Sequence, residues 1–196
     1  MTAGILGGAF DPPHVGHVAL ARAAIHELGL DKLLVVVVGE APHKVVVTDA
    51  ETRFRLAEAA FSGIPAVELS RHELDRPGPS YTVETARWAR RRFGDDVLVV
   101  IGGDEFADFL AWHDPDGVLE QARVAVAARP GYERERLDAV RSRLRRPDRV
   151  AYFPFPEIPV ASREIRARVA SGEPIDELVP PPVAMLVRDL GLYRGR

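Results

Sequence analysis

Six short, largely aliphatic runs punctuate the chain, at Ala3–Leu6, Leu33–Val38, Ala66–Leu69, Val97–Ile101, Arg123–Ala128 and Val150–Phe153, and helical patterns fill the gaps between them. Runs of this length, without polar alternation, suit strands covered on both faces, as in a parallel sheet. Between the first two, Val18, Ala21, Ile25 and Leu28 recur at spacings of three and four, and Gly29 closes that helix as its C′ residue. The next helix is expected to open at Thr48, where Thr48-Asp49-Ala50-Glu51 reads as a capping box, with Phe54, Ala57 and Phe61 on its inner face. A helix over Thr82–Phe93 ends at Gly94, Asp114-Pro115 opens a short one, and Glu133–Arg145 forms a charged one. Two further short helices follow from Ser162, on either side of Val179-Pro180-Pro181-Pro182. Strands alternating with helices imply an α/β fold, a Rossmann-like open parallel sheet with helices on both faces. A single domain is expected over residues 1–196, with a small helical C-terminal part from about residue 162.

Composition removes several function classes. With 196 residues, 46% of them hydrophobic, the chain can build a core without covalent staples. It has no cysteine, which excludes disulfides and thiolate metal sites. No stretch approaches the roughly 20 apolar residues that span a bilayer. Met1–Leu6 has neither the charge nor the apolar run of a signal peptide, so a cytoplasmic protein with no membrane partner is expected. A net charge of −3 argues against a nucleic-acid partner. The arginine runs at Arg90–Arg92 and Arg141–Arg149 lack interleaved aromatics and read as solvated helix faces rather than an RNA patch.

In an open parallel sheet, ligands lie beyond the carboxyl ends of the strands, near helix N-termini. After the first run comes Gly7-Gly8-Ala9-Phe10-Asp11-Pro12-Pro13-His14-Val15-Gly16-His17. The glycines let a phosphate approach the backbone. A helix beginning near His14 or Val15 sets His14 and His17 one turn apart on its exposed end, where free amides and the helix dipole favour an anion. Imidazoles beside a triphosphate are expected to shift towards the protonated form. The loop is neither the G-x-G-x-x-G dinucleotide fingerprint nor a Walker loop. A His-x-x-His pair can also ligate zinc, although the glutamate of H-E-x-x-H is missing. The spacing alone equally fits two incidental surface histidines.

Gly7 to His17 resembles the G-G-T/S-F-D-P-x-H-x-G-H element of the adenylyltransferase branch of the nucleotidyltransferase superfamily, departing from it at Ala9, where that branch carries a hydroxyl. Ala41-Pro42-His43-Lys44 resembles the P-H-K element of the bacterial nicotinate-nucleotide adenylyltransferases, and Gly78-Pro79-Ser80-Tyr81-Thr82 their G-x-S-Y-T. Gly102-Gly103-Asp104 is similar to their G-x-D, Trp112 to the tryptophan that stacks on the pyridine ring, and Arg129-Pro130-Gly131 to their R-P-G. Val160-Ala161-Ser162-Arg163-Glu164-Ile165-Arg166 resembles the I-S-S/A-T/S-x-I-R element, with Ala161 and Arg163 in place of hydroxyl residues. Leu178-Val179-Pro180 and Leu192-Tyr193 match the C-terminal pattern, so the resemblance runs from Gly4 to Tyr193.

The resemblance implies an HxGH-type nucleotidyltransferase fold and adenylyl transfer from ATP to nicotinate mononucleotide, giving deamido-NAD and pyrophosphate. It assigns catalysis to His14, His17 and Arg166. It assigns ATP to these three together with Gly7, Gly8, Ala9, Phe10, Gly102, Asp104, Ser162, Arg163 and Ile165. Nicotinate mononucleotide falls to Lys44, Thr82, Asp104, Trp112 and Arg129. Magnesium (Mg2+) is expected to arrive bound to ATP, with no protein carboxylate standing out as its ligand. Self-association is left open. The alternatives are a relative using nicotinamide mononucleotide or another phosphate acceptor such as phosphopantetheine, and a weakly catalytic nucleotide-binding paralogue suggested by Ala9, Ala161 and Arg163.

Overall fold

The structure, a computed structural model, describes residues 1–41, 46–128, 134–156 and 158–194. The six expected runs form strands β1 (Ala3–Gly8), β2 (Lys32–Val37), β3 (Val67–Ser70), β4 (Val97–Gly102), β5 (Arg123–Ala128) and β6 (Val150–Pro154). They build one sheet in the order β3-β2-β1-β4-β5-β6, and every pairing is parallel. The helices are α1 (Val15–Glu27), α2 (Ala50–Phe61), α3 (Thr82–Phe93), α4 (Gly103–Ala107), α5 (Pro115–Gln121), α6 (Arg134–Arg141), α7 (Ser162–Ala170) and α8 (Pro181–Asp189). Side chains alternate across the pleat, so Leu33, Val35 and Val37 enter one core cluster while Leu34 and Val36 enter the other. Both faces of the sheet are therefore covered, which is why its strands read as unbroken apolar runs.

The chain reverses its direction of winding between β1 and β4, and the ladder between them is short. β1 pairs with β2 over its full length, from Ala3↔Lys32 to Gly8↔Val37. With β4 it pairs only from Ala3↔Val97 to Ile5↔Val99. Beyond that point the two carboxyl ends diverge, and Gly7, Gly8 and Gly102 line the opening. A crevice at such a reversal is where open α/β sheets take ligands.

Some local expectations are corrected. The N-cap of α2 is Asp49, whose side chain accepts the Thr52 N–H at 2.9 Å, so the capping residue is one position later than expected. Phe54 is only partly buried, beneath the Arg71 guanidinium at 5.0 Å, and the inner face of α2 is Arg53, Leu56, Ala57, Ala60 and Phe61. The charged helix is shorter than the expected 133–145 because Leu144 turns into the core, drawn by three-residue hydrogen bonds after Arg141. Both arginine runs are tied locally, Arg90 to Asp95, Arg92 to Glu68, Arg145 to Asp116 and Arg146 to Asp148, which favours solvated faces over a nucleic-acid patch. Among the described residues no helix is long and apolar enough to cross a membrane.

Candidate active site

The loop after β1 is shaped from below by Phe10. This residue takes a positive φ of 51°, and its ring, 1% exposed, folds back under Gly8, where a Cβ would come within 2.8 Å of it. The same ring meets Phe61 edge-on at 5.5 Å and His17 at 5.2 Å. Phe10 is thus a floor on which His17 stands.

His14 is the N-cap of α1, and the two imidazoles cap the helix reciprocally. The His17 N–H donates to His14 Nδ1 at 3.3 Å, and the His14 N–H donates to His17 Nδ1 at 3.1 Å. A histidine thus plays the part that serine and glutamate play in an ordinary capping box. The rings stack at 3.6 Å with 25° between their planes. Since each Nδ1 accepts a hydrogen bond from a backbone N–H, the neutral tautomer of each ring carries its hydrogen on Nε2. Both rings line the crevice. Gly16 between them is required by space, since a Cβ there would press on His14 Nδ1 at 3.0 Å and on Val160 at 3.2 Å. In the protein by itself, burial pushes His14 down to about 4, so it is neutral at pH 7.

Asp11, 3% exposed, locks the loop in place. Its carboxylate accepts the Val47 N–H at 2.8 Å, the Thr48 N–H at 3.4 Å and the Tyr193 hydroxyl at 2.6 Å. The Asp11 carbonyl accepts from Arg166 Nη1 at 2.7 Å, and the Pro12 carbonyl accepts the Ser162 hydroxyl at 2.8 Å. So Ser162 and Arg166, at the start of α7, are fastened to the histidine loop itself. Arg53, 2% exposed, donates to the carbonyls of Thr48, Ala9, Val38 and Gly39, between 2.7 and 3.1 Å. It joins the loops after β1 and β2 through backbone acceptors. Neither Arg53 nor the Asp11–Tyr193 bond was anticipated.

Two clefts meet on this loop. The larger, of about 770 Å³, is lined by Gly7, Gly8, Ala9, Phe10, His14, His17, Gly102, Asp104, Ser162, Arg163 and Arg166 among others. It thus gathers every residue assigned above to ATP except Ile165, which is fully buried in the core and lines neither cleft. The smaller, of about 420 Å³, is lined by Thr82 and Trp112, with Glu73, Ser80, Tyr81, Thr85 and His113. Gly7, Gly8, Ala9 and Glu105 line both. Asp104, assigned above to both substrates, faces only the larger cleft, and its neighbour Glu105 spans the two. Thr82 is the first residue of α3, after the N-cap Tyr81, and no side chain caps that helix. Tyr81, Thr82 and Thr85 line the smaller cleft, so the N-terminal end of this helix borders it. Trp112 packs on Phe109 at 5.1 Å, and His113 stacks on Tyr81 at 4.0 Å along the cleft wall. Lys44 and Arg129 lie outside the described residues.

Comparison with known proteins gives the chain's family and fold. A probable nicotinate-nucleotide adenylyltransferase of Thermus thermophilus is 41% identical over 99% of this chain and 100% of its own. One of Moorella thermoacetica is 39% identical over 98% and 92%. The cytidylyltransferase-like family model matches residues 5–168. The chain belongs to the nicotinate-nucleotide adenylyltransferase group of the cytidylyltransferase-like family. A solved structure of the Plasmodium falciparum nicotinic acid mononucleotide adenylyltransferase, complexed with NaAD, shares the adenylyltransferase fold at a TM-score of 0.77, with 14% identity over 98% of this chain and 97% of that one.

Proposed function

We propose that this adenylyltransferase moves the AMP group of ATP onto the phosphate of nicotinate mononucleotide, releasing pyrophosphate and giving deamido-NAD for NAD biosynthesis. The observation that carries the reading is the meeting of two clefts at Gly7–Ala9, with both imidazoles on the larger side and Thr82 and Trp112 on the smaller. Cavities of these sizes suit small-molecule ligands, and the relatives' shared name supports this pair of substrates.

A phosphate oxygen of the mononucleotide is ionised at pH 7 and needs no general base. It forms a bond to the α-phosphorus of ATP while the bond from that phosphorus to the bridging oxygen breaks, and pyrophosphate takes the electron pair. Catalysis is then alignment and charge stabilisation. The Nε2–H groups of His14 and His17 donate to the oxygens on which charge builds. Arg163, Arg166 and the backbone amide of Ser162 at the start of α7 hold the leaving phosphates, the Ser162 hydroxyl being given to the Pro12 carbonyl. Each guanidinium has several donors, so Arg166 keeps some for phosphate while one binds the Asp11 carbonyl. Magnesium brought in with ATP would neutralise phosphate charge, while Arg163 and Arg166 make the protein's own contribution. Trp112 covers the pyridine ring, and the first amides of α3 with the Thr82 hydroxyl receive its carboxylate.

Purified protein assayed with magnesium ATP and a panel of nicotinate mononucleotide, nicotinamide mononucleotide and phosphopantetheine decides the matter. Pyrophosphate release fastest with the first acceptor is expected. ATP binding without turnover on any acceptor would leave only a nucleotide-binding module.

A further inference from the structure

Glu73 follows β3 and lies against α3 with 8% of its surface exposed. It lines the smaller cleft beside Ser80, Thr82 and Thr85, although adenylyl transfer itself requires no carboxyl there. The Thr85 hydroxyl donates to Glu73 Oε1. The Ser80 hydroxyl accepts the Gly39 N–H at 3.2 Å and bonds the same carboxyl. The backbone is closed around this group, since a Cβ on Gly39 would collide with the Glu73 carbonyl oxygen. Two charges face Glu73 from its surroundings, Arg76 favouring its ionised form and Glu84 opposing it. Arg76 is itself turned to the Glu84 carboxylate and to the Pro79 carbonyl at 2.9 Å. No cation among the described residues is paired with Glu73. The remaining titratable groups lining the cleft are Glu105, Asp108, His113 and Tyr81.

We propose that Glu73 is a specificity-determining residue for the acceptor's ring substituent: as a neutral acid it tolerates an anionic substituent beside it, and as a carboxylate it repels one. The idea rests on the adenylyl-transfer reading above. Burial supports it, because removal of water pushes the Glu73 carboxyl up from the ordinary glutamate range, against the opposing pull of its two hydroxyl donors. The sign follows directly. At low pH Glu73 is neutral and the acid acceptor meets no repulsion; as pH rises through its ionisation, the acid is disfavoured while the amide is not.

The test is the ratio of kcat/KM for nicotinate mononucleotide to that for nicotinamide mononucleotide, from the ordinary glutamate range at about pH 4.5 up to about pH 9. Both acceptors carry the same phosphate and both reactions use the same ATP, so those titrations cancel in the ratio. The ratio is expected to fall at least roughly tenfold with rising pH in the unaltered protein. Glu73→Gln, which keeps an acceptor for the two hydroxyls but cannot ionise, is expected to hold the ratio level, and Glu73→Asp to retain the fall. A level ratio in the unaltered protein, which requires no variant to fold, overturns the proposal. So does an undiminished fall in Glu73→Gln. Absence of turnover with both acceptors in the unaltered protein overturns the adenylyl-transfer reading, and this inference with it.

Discussion

A histidine that uses Nδ1 to cap a helix has fixed which nitrogen it can offer a ligand, and His14 and His17 each do this for the other. The price of burying His14 shows in its proton affinity, which falls to about 4. In the unfolded chain the same group titrates near 6.5. Between these values the unfolded state binds a proton that the folded state does not, so stability rises with pH across the window and is lost as pH falls from about 6.5 through about 4. The full effect is at most about 3 kcal/mol. Urea unfolding of the protein and of His14→Gln, at several pH values, is expected to show their stability difference narrowing by up to that amount towards pH 4; a constant difference would count against burial as the cause. His17→Ala tests the chemistry instead. It is expected to lower kcat by about 10²-fold or more, with a stability loss of only about 1 kcal/mol from the lost cap bond. A fall below tenfold would show that this imidazole is not beside the reacting phosphate.

At the scale of elements, the site is held by segments far apart in sequence. The chain after α8 returns so that the Tyr193 hydroxyl reaches Asp11, a residue 182 positions earlier, while α7 grips the next carbonyls of the same loop. Burial and the bond to Asp11 push the Tyr193 phenol well up, so it remains a donor throughout the useful pH range. Tyr193→Phe removes that donor while Asp11 keeps its two amides. A loss of about 1–2 kcal/mol is expected in thermal or urea unfolding. Steady-state kinetics should show a fall in kcat larger than the change in KM for the acceptor, because the histidine loop shifts and the Trp112 wall does not. An equal loss on both parameters would indicate general loosening.

These ties also explain what the sequence could and could not disclose. The glycine turn, the HxGH spacing and the N-terminal end of α7 are local patterns, and the structure brings their residues to one cleft. Arg53 sits on the apolar face of α2 and donates to four backbone carbonyls, so periodicity could register it only as an interruption. Asp11 could be seen as part of the loop, but its partners depended on how the chain returns. Glu73 followed an edge strand and resembled any exposed acid until α3 and the Gly39 turn closed over it.

For the whole molecule, the order of the strands decides where chemistry occurs. Apolar runs at regular intervals specified parallel strands, and their short lengths specified covered faces; those features survive any local misplacement of a cap, such as the shift from Thr48 to Asp49. The reversal between β1 and β4 then opens the crevice at the sheet's centre that both clefts share. The most direct test is a crystal structure of the protein with magnesium and a non-hydrolysable ATP analogue. Phosphate oxygens are expected within about 3 Å of Nε2 of both His14 and His17. Phosphates bound away from that pair, with either imidazole turned elsewhere, would contradict the account.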